Sequence, residues 1–99
     1  MTINTIKDGG IVTIALSGRL DTTTAPQLEA ELADALKGVA LLIFDLSDLE
    51  YLSSAGLRVI LAAQKRMNIQ GKMIVRHANE TIMEIFTVTG FTDILTIEE

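Results

Sequence analysis

An uninterrupted apolar run near the middle of the chain constrains the fold more than any other feature. Residues 39–44 read VALLIF, and Leu46 extends the run past Asp45. Because apolar side chains occupy both alternating positions of this stretch, it is typical of a central β-strand that is covered on both faces. The run is far shorter than the roughly 20 residues that span a bilayer, so we expect a soluble chain with no membrane partner.

Strand and helix patterns alternate on either side of this run. Residues 2–7 and 11–17 meet across a Gly-Gly turn, which predicts an N-terminal hairpin. Residues 25–36 carry apolar side chains at helical spacing and predict an amphipathic helix, with Pro26 in its first turn and Gly38 at its end. The later elements are predicted as strand 39–46, loop 47–52, helix 54–68, strand 72–76, helix 79–89 and a short last strand 93–97.

The length of the chain supports a single hydrophobic core. A chain of 99 residues buries only about 60 to 70% of its surface on folding, which leaves no room for a second domain. Strand and helix alternation favours parallel pairing with crossover helices. We therefore predict one α/β domain over residues 1–99, with a mixed sheet of four to five strands, an N-terminal hairpin and helices packed largely on one side.

Charge and cysteine content exclude several kinds of partner and chemistry. The formal net charge of −5 argues against binding to nucleic acid or to anionic membranes, since both need clustered Lys and Arg. The chain has no cysteine, so disulfides, thiolate metal sites and thiol catalysis are excluded. The N-terminal segment lacks the basic and apolar stretches of a signal peptide, and we expect a cytoplasmic protein.

Carboxylates near the centre of the chain favour a solvated acidic rim over a metal site. Asp45, Asp48 and Glu50 have no neighbouring histidine in sequence and no calcium-type loop. The glycines form no phosphate-cradling loop, so we expect neither a metal nor a cofactor. A small serine hydrolase that uses Ser54 and His77 is a remote alternative, because the common Gly-x-Ser-x-Gly signature is absent.

Two adjacent serines precede the second predicted helix, in the sequence YLSSAGLRVI at residues 51–60. Serine commonly caps helix N-termini, so from spacing alone a capping role is the plainer interpretation of both Ser53 and Ser54. Ser54 and Arg58 lie on one stripe of the helix, away from its apolar side. The hydroxyl of Ser54 is therefore predicted to be exposed.

A phosphate on Ser54 would suit this position. It would carry about −1.5 to −2 charge and would meet the unpaired N–H groups of the first helical turn, a gain of roughly 0.3 to 1 kcal/mol. Before salt screening, an acidic group on a docked partner about 6 Å away would be repelled by roughly 3 kcal/mol per charge pair, at an effective dielectric constant of about 20. Phosphorylation is thus predicted to switch binding more than folding.

Three segments carry a resemblance to a known family, and they occur in the family's order. DLSDLEYLSSAGLRVIL, residues 45–61, resembles the signature of the STAS domain, the family of bacterial anti-sigma factor antagonists. Upstream, SGRLDTTTAPQLEAEL resembles the family's Gly-x-Leu-Asp segment at the start of a helix. Downstream, ETIMEIFTVTGFTDIL resembles the family's third helix, so the likeness covers nearly the whole chain.

The resemblance implies a regulatory binding module and not an enzyme. Ser54 corresponds to the family's phosphoacceptor. The unmodified domain binds an anti-sigma factor that is also a serine kinase of the HATPase type, and this binding releases a sigma factor. Phosphorylation by the same kinase ends the binding, and a PP2C-type phosphatase restores it. Asp21 corresponds to the family's acidic residue near the acceptor, which helps to contact the kinase.

The predicted partner-binding surface combines the start of the first helix, the loop before the acceptor and the first turns of the second helix. Its residues are Asp21, Thr22, Thr23, Thr24, Asp48, Glu50, Ser53, Ser54, Ala55, Gly56, Leu57 and Arg58. Without the resemblance, residues 21–24 are typical of turn and cap chemistry.

The chain departs from the family pattern immediately before the acceptor. Sporulation-type members have Asp at the position of Ser53, so one negative charge is absent here and Ser53 becomes a second, less favoured acceptor. Longer members also continue beyond the position of Glu99 into a last helix. A non-phosphorylated adaptor subunit of an ATPase or transporter complex is the alternative function for the same fold.

Overall fold

The chain begins with a β-hairpin and then alternates helices with parallel strands. A computed structural model describes residues 1–98. Its strands are β1 (Thr2–Asp8), β2 (Ile11–Leu20), β3 (Leu41–Leu52), β4 (Lys72–Arg76) and β5 (Ile97–Glu98), and its helices are α1 (Ala25–Ala35), α2 (Ser54–Gln70) and α3 (Glu80–Thr89). The predicted hairpin and the three predicted helices are confirmed.

The strands form one five-stranded mixed sheet in the order β1-β2-β3-β4-β5. β1 pairs antiparallel with β2, and each later neighbouring pair is parallel. Short turns join antiparallel strands, whereas helical crossovers join parallel ones, and for this reason the sequence pattern predicted which strand pairs are antiparallel and which are parallel. Because β2 and β3 are parallel, both end at the same edge of the sheet, and α1 and α2 begin beside each other at that edge.

All three helices cover the same face of the sheet. Ile14 of β2 and Phe44 of β3 belong to one buried cluster with Leu28 of α1, Ile60 of α2 and Phe86 of α3. Each of these side chains is fully buried. The predicted packing of the helices largely on one side is therefore confirmed.

β3 is longer than the sequence predicted, and the expected loop 47–52 is part of it. The strand continues to Leu52 and stays paired with β2 through two register shifts. Such irregularities interrupt the two-residue alternation of side chains. Leu46, Leu49 and Leu52 are consequently buried at a spacing of three residues, which is not a strand pattern.

The predicted last strand, residues 93–97, is misplaced. A short 3₁₀ helix, Phe91–Asp93, occupies its beginning, and β5 is only two residues long. Leu95 is buried in the core although it lies between these elements, which explains the apolar pattern that suggested a strand. α2 also continues past its predicted end at Asn68 and terminates at Gln70.

The face of the sheet opposite the helices is called the open face below. Leu41 and Ile43 of β3 project to this face, because they alternate with Leu42 and Phe44 of the helix-covered core. Neighbouring strands shield Ile43, which is 8% exposed, but within residues 1–98 no helix packs on it. The prediction that the central strand is covered on both faces is therefore wrong for this face.

Candidate functional site

Ser53 caps the N-terminus of α2. Its backbone is extended (φ −91°, ψ 173°), and its hydroxyl oxygen accepts a hydrogen bond from the amide of Gly56 at 3.3 Å. The Ser53 amide donates to the Leu20 carbonyl at 2.9 Å, and the Ser53 carbonyl accepts from the Leu57 amide at 2.9 Å. The side chain and both backbone groups of Ser53 are therefore engaged in holding the start of the helix against β2.

Ser54 is the first residue of α2, and its side chain is exposed. In the part of the chain that the structure describes, its hydroxyl makes no hydrogen bond. The first N–H groups of a helix lack intrahelical acceptors, so this hydroxyl lies at the positive end of the helix dipole. Arg58, Ala62 and Lys65 are also exposed, which confirms that Ser54 heads a solvent-facing stripe.

Gly56 allows the start of α2 to lie directly on the sheet. A Cβ atom at Gly56 would be 2.7 Å from Leu20 Cγ and 2.8 Å from Leu52 Cδ1. Both distances are shorter than real carbon contacts, so a side chain here would push α2 away from β2 and β3. Gly56 and the 7% exposed Leu57 are buried beneath the predicted partner surface, and they shape it without forming part of it.

The turn that begins at Asp21 lies next to this helix start, because Ser53 is hydrogen-bonded to the residue before Asp21. The Asp21 carboxylate accepts hydrogen bonds from the Thr23 amide at 3.0 Å, the Thr23 hydroxyl at 2.7 Å and the Thr24 amide at 3.2 Å. The Thr24 hydroxyl accepts from the Asp21 amide at 2.8 Å and donates to the Arg19 carbonyl at 2.9 Å. These bonds form the turn that the sequence predicted. The predicted capping role is not seen, because the Thr24 side chain at the start of α1 bonds to Asp21 and Arg19 and, in the described chain, to no amide of the helix.

Hydrogen bonding lowers the pKa of Asp21. The Thr23 hydroxyl is the largest cause, and the amides of Thr23 and Thr24 act in the same direction against the opposing effect of partial burial. Arg19 lies close to the carboxylate, with 3.8 Å between Nε and Oδ2, and its guanidinium carbon is 4.2 Å from the ring centroid of Tyr51. The turn therefore holds an ionised carboxylate in a fixed orientation beside the exposed Arg19 guanidinium.

A hollow of about 230 Å³ separates the start of α1 from the start of α2. Its lining residues are Thr22, Ala25, Pro26, Glu29, Ala55, Arg58 and Val59. The structure thus brings Thr22 of the predicted first segment together with Ala55 and Arg58 of the predicted third segment. The two segments share one concave surface next to Ser54.

Asp48 and Glu50 line a different cleft, between β3 and the start of α3. This cleft has a volume of about 560 Å³, and its lining residues are Ser47, Asp48, Leu49, Glu50, Asn79, Glu80 and Thr81. Asn79 holds β3 and the start of α3 together in this cleft. Its Nδ2 donates to the Leu49 carbonyl at 2.7 Å, and its Oδ1 accepts from the Ile82 amide at 3.0 Å. The predicted partner surface is therefore divided into two concavities that share no lining residue.

Sequence reasoning missed several residues of this surface. Glu29 lies four residues after Ala25 and three after Pro26, so these lining positions share one face of α1. The helical spacing that identified the core residues could therefore also have indicated Pro26 and Glu29. Arg19 and Tyr51 are partners across β2 and β3. Their pairing depends on the register shifts between those strands, which the sequence does not reveal.

The structure of residues 1–98 does not bring together the residues of a metal site or of a Ser54–His77 hydrolase. These residues contain no group of three or more His, Cys, Asp or Glu side chains arranged to hold a metal ion. His77 is exposed after β4, and no hydrogen bond joins it to Ser54 in the described chain. None of the described helices has the length and apolar character needed to cross a bilayer.

Comparison with known proteins extends the likeness beyond the site. The STAS domain family matches residues 2–99. The chain is 37% identical over 93 residues to BtrV of Bordetella bronchiseptica, provisionally named an anti-sigma factor antagonist, and the match covers 92% of this chain and 80% of BtrV. It is 28% identical over 95 residues to the anti-sigma-B factor antagonist of Listeria monocytogenes, covering 93% of this chain and 82% of that protein.

Solved structures of SpoIIAA, an anti-sigma factor antagonist, share the fold. The unphosphorylated form has a TM-score of 0.84 at 20% identity, and the alignment covers 99% of this chain and 89% of SpoIIAA. The phosphorylated form from Bacillus has a TM-score of 0.77, also at 20% identity, and covers 99% of this chain and 92% of that one. The common fold and the family match over nearly the full length lead to one conclusion: the chain belongs to the STAS domain family.

Proposed function

We propose that this protein is an anti-sigma factor antagonist whose binding to its partner is switched by phosphorylation of Ser54. The observation that carries the proposal is the difference between two adjacent serines: Ser53 caps α2, whereas Ser54 presents an unbonded hydroxyl to solvent. The names of BtrV and of the Listeria relative support an anti-sigma factor as the partner. The phosphorylated form of SpoIIAA supports phosphate as the modification.

Ser54 is a better acceptor than Ser53 because its modification leaves the helix cap intact. A phosphate on Ser53 would disturb the hydroxyl that accepts from Gly56, and losing such a cap costs about 0.5 to 2 kcal/mol. Ser53 is also half-buried, so a kinase would reach it less easily. A phosphate on Ser54 would instead lie over the free N–H groups of the first turn.

The phosphate would act mainly on the bound partner. Within the chain, the phosphate would interact favourably with the helix dipole. It would also form an ion pair with the exposed Arg58 one turn later, and this pair is worth about 0.3 to 0.5 kcal/mol. Between molecules, it would repel an acidic group about 6 Å away by roughly 3 kcal/mol per charge pair, which corresponds to about a hundredfold loss of affinity. The ionised Asp21 nearby adds to the negative charge that such a group would face.

The proposed contact surface has a centre and a periphery. The hollow between α1 and α2 is the centre, with Ala55 and Arg58 on one side and Thr22 on the other, and Ser54 precedes Ala55 at its border. The rigid turn at Asp21 forms its edge. The acidic cleft at Asp48 and Glu50 is the peripheral part, toward α3.

The partner in this proposal is an anti-sigma factor that is also a serine kinase of the HATPase type. The chain is a substrate in the reaction and supplies no catalytic group. The Ser54 oxygen forms a bond to the γ-phosphorus of ATP, the bond to the ADP oxygen breaks, and a base of the kinase takes the hydroxyl proton. A PP2C-type phosphatase hydrolyses the phosphoserine and restores binding. Such a circuit would operate in the cytoplasm, where ATP and sigma factors are found.

Calorimetric titration with a HATPase-type serine kinase from the same organism tests the proposal. The unmodified chain is expected to bind, and the chain carrying one phosphate on Ser54 is expected to bind about a hundredfold more weakly. A Ser53→Ala variant phosphorylated on Ser54 is the matched control and should lose affinity to the same extent. Equal affinity of the modified and unmodified chains contradicts the switch. Stable binding without any phosphate transfer would favour the adaptor function instead.

A further inference from the structure

The open face of the sheet carries an exposed apolar surface with charged ends. The strand registers arrange its side chains in rows that run across β1, β2, β3 and β4. In that strand order, one row is Asp8, Ile11, Leu41 and Lys72, the middle row is Ile6, Thr13, Ile43 and Ile74, and the third row is Asn4, Ala15, Asp45 and Arg76.

The apolar side chains of these rows are separate from the helix-covered core. Ile6 is 57% exposed and Ile11 is 43% exposed, and Leu41 and Ile74 are half-buried. None of these four belongs to the cluster that the helices cover. A contiguous apolar surface of this kind marks an interaction site more often than isolated exposed residues do. The central strand is also apolar at both alternating positions, which is typical of strands covered on both faces.

The order of charges in the first of these rows makes that part of the face complementary to itself. The first row reads negative, apolar, apolar, positive from β1 to β4. A two-fold axis parallel to the strands, between β2 and β3, reverses the row on the facing copy. Asp8 of each copy then lies opposite Lys72 of the other, and Ile6 lies opposite Ile74. We propose that the open face binds the open face of a second copy of this chain, forming a weak symmetric dimer.

The size of the face sets the strength of this dimer. Four strands about 4.8 Å apart and rows about 6.8 Å apart give a flat area on the order of 400 Å². Stable interfaces bury about 800 Å² of accessible surface per partner, so this one belongs with small, transient interfaces. We expect a dissociation constant on the order of 100 μM. Face-to-face packing of twisted sheets with their strands nearly aligned fits the geometry of this axis.

The dimer leaves both copies of Ser54 accessible. α2 packs on the helix-covered face through side chains such as Ile60 and Met67, so the axis lies on the opposite side of the sheet. The inference therefore does not depend on the proposed function. Self-association and partner switching can each fail without the other.

Concentration-dependent nuclear magnetic resonance spectra test the dimer directly. Amide resonances of β1 to β4 on the open face are expected to shift together between about 20 μM and 1 mM. The buffer should contain about 0.15 M salt, which screens the general repulsion between two chains of net charge −5 over about 8 Å. The absence of shifts up to about 1 mM overturns the proposal, and so do shifts confined to the helices.

Charge reversal identifies the arrangement within the dimer. Asp8→Lys and Lys72→Asp are each expected to weaken association about tenfold, because each places like charges together at two symmetry-related contacts. The double variant restores the opposite charges and is expected to regain most of the affinity. Asp34→Lys and Lys37→Asp are matched controls, since this exposed pair lies on the helix side. If the controls weaken association equally, or if the double variant regains nothing, the arrangement is wrong. The dispersion of the spectrum shows whether each variant is folded.

Discussion

The two ends of α2 meet the sheet in the same way. At the N-terminal end, Gly56 packs directly on Leu20, and at the C-terminal end, Gly71 packs against Ala40. A Cβ atom on Gly71 would be 2.0 Å from the Ala40 carbonyl oxygen. Both contacts exclude a side chain, so the helix is anchored closely at each end.

The ends differ in the polar groups that they leave free. At the C-terminal end, the Gln70 side-chain amide donates to the carbonyls of Leu36 and Val39 at 2.7 and 2.8 Å. At the N-terminal end, the Ser53 hydroxyl accepts a hydrogen bond from the Gly56 amide, and the Ser54 hydroxyl is exposed to solvent. Close packing is thus common to both ends, whereas an unbonded hydroxyl next to free N–H groups occurs only at the end that we propose to be the site.

The largest effect is expected at the end without the proposed site. Gly71→Ala should lower the free energy of unfolding by about 3 kcal/mol or more, because the backbone of Ala40 cannot move aside cheaply. Urea denaturation measures the change. Gly10→Ala is a matched control, since its Cβ would lie 3.7 Å from the Ala40 Cβ, an ordinary contact. Equal stability of the two variants would show that the close contact is not an anchor.

Gly56→Ala is expected to be less costly and to change function as well. The new Cβ would meet the Leu20 and Leu52 side chains and would lie 3.0 Å from the Leu20 carbonyl oxygen, a milder backbone contact than at Gly71. Alanine also favours the helix by up to about 1 kcal/mol. We expect a net loss of stability of about 1 to 2 kcal/mol. We also expect weaker partner binding, because the start of α2 shifts. Unfolding and calorimetric titration on the same variant measure both. Unchanged binding would mean that the position of this helix end is not important for recognition.

Alanine substitutions at the two adjacent serines should have different effects on stability. Ser53→Ala removes the cap and should cost about 1 kcal/mol of stability. Ser54→Ala removes an exposed hydroxyl with no hydrogen bond and should change stability by less than about 0.5 kcal/mol. Urea midpoints of the two variants give the comparison. The reverse order of stabilities would contradict the assignment of Ser53 as the cap.

The smallest expected effect is a dependence of stability on pH at Asp21. Its pKa is lower in the folded chain than the ordinary value of 3.8, chiefly because of the Thr23 hydroxyl. The ionised carboxylate therefore stabilises the fold above pH 3.8, and this contribution is lost as the pH falls through the folded-state pKa. Asp21→Asn should be less stable than the natural chain at neutral pH, and the difference should shrink in acid. Thr23→Val should change stability in the same direction. A difference that is constant with pH would contradict this assignment.

The sequence predicted the fold well where the side-chain pattern is regular. The hairpin, the helix with Leu28 and Leu32 on its buried side and the capped third helix all follow from local periodicity. The end of β3 was missed because register shifts replace alternation by a spacing of three. The open face was also missed, since an apolar strand pattern does not specify whether a helix or another molecule covers it.

The site was predictable in part. The serine pair and the Asp21 turn have strong local signals, and both lie where the sequence placed them. Spacing alone left both serines as candidate caps, because a shift of one residue in the helix start exchanges their roles. The predicted helix start at Ser54 favoured Ser53 as the cap, and the hydrogen bond from the Gly56 amide to Ser53 confirms it. Position 71 requires glycine because a Cβ atom there would clash with the backbone of Ala40, thirty-one residues earlier in the chain. Only the folded structure reveals this contact.

Mapping of the phosphate after incubation with the kinase and ATP tests the central claim most directly. Tandem mass spectrometry of the natural chain should place a single phosphate on Ser54. Ser53→Ala should be phosphorylated on Ser54 to the same stoichiometry, and Ser54→Ala should remain unmodified. A phosphate on Ser53 of the natural chain, or undiminished modification of Ser54→Ala, would contradict the account.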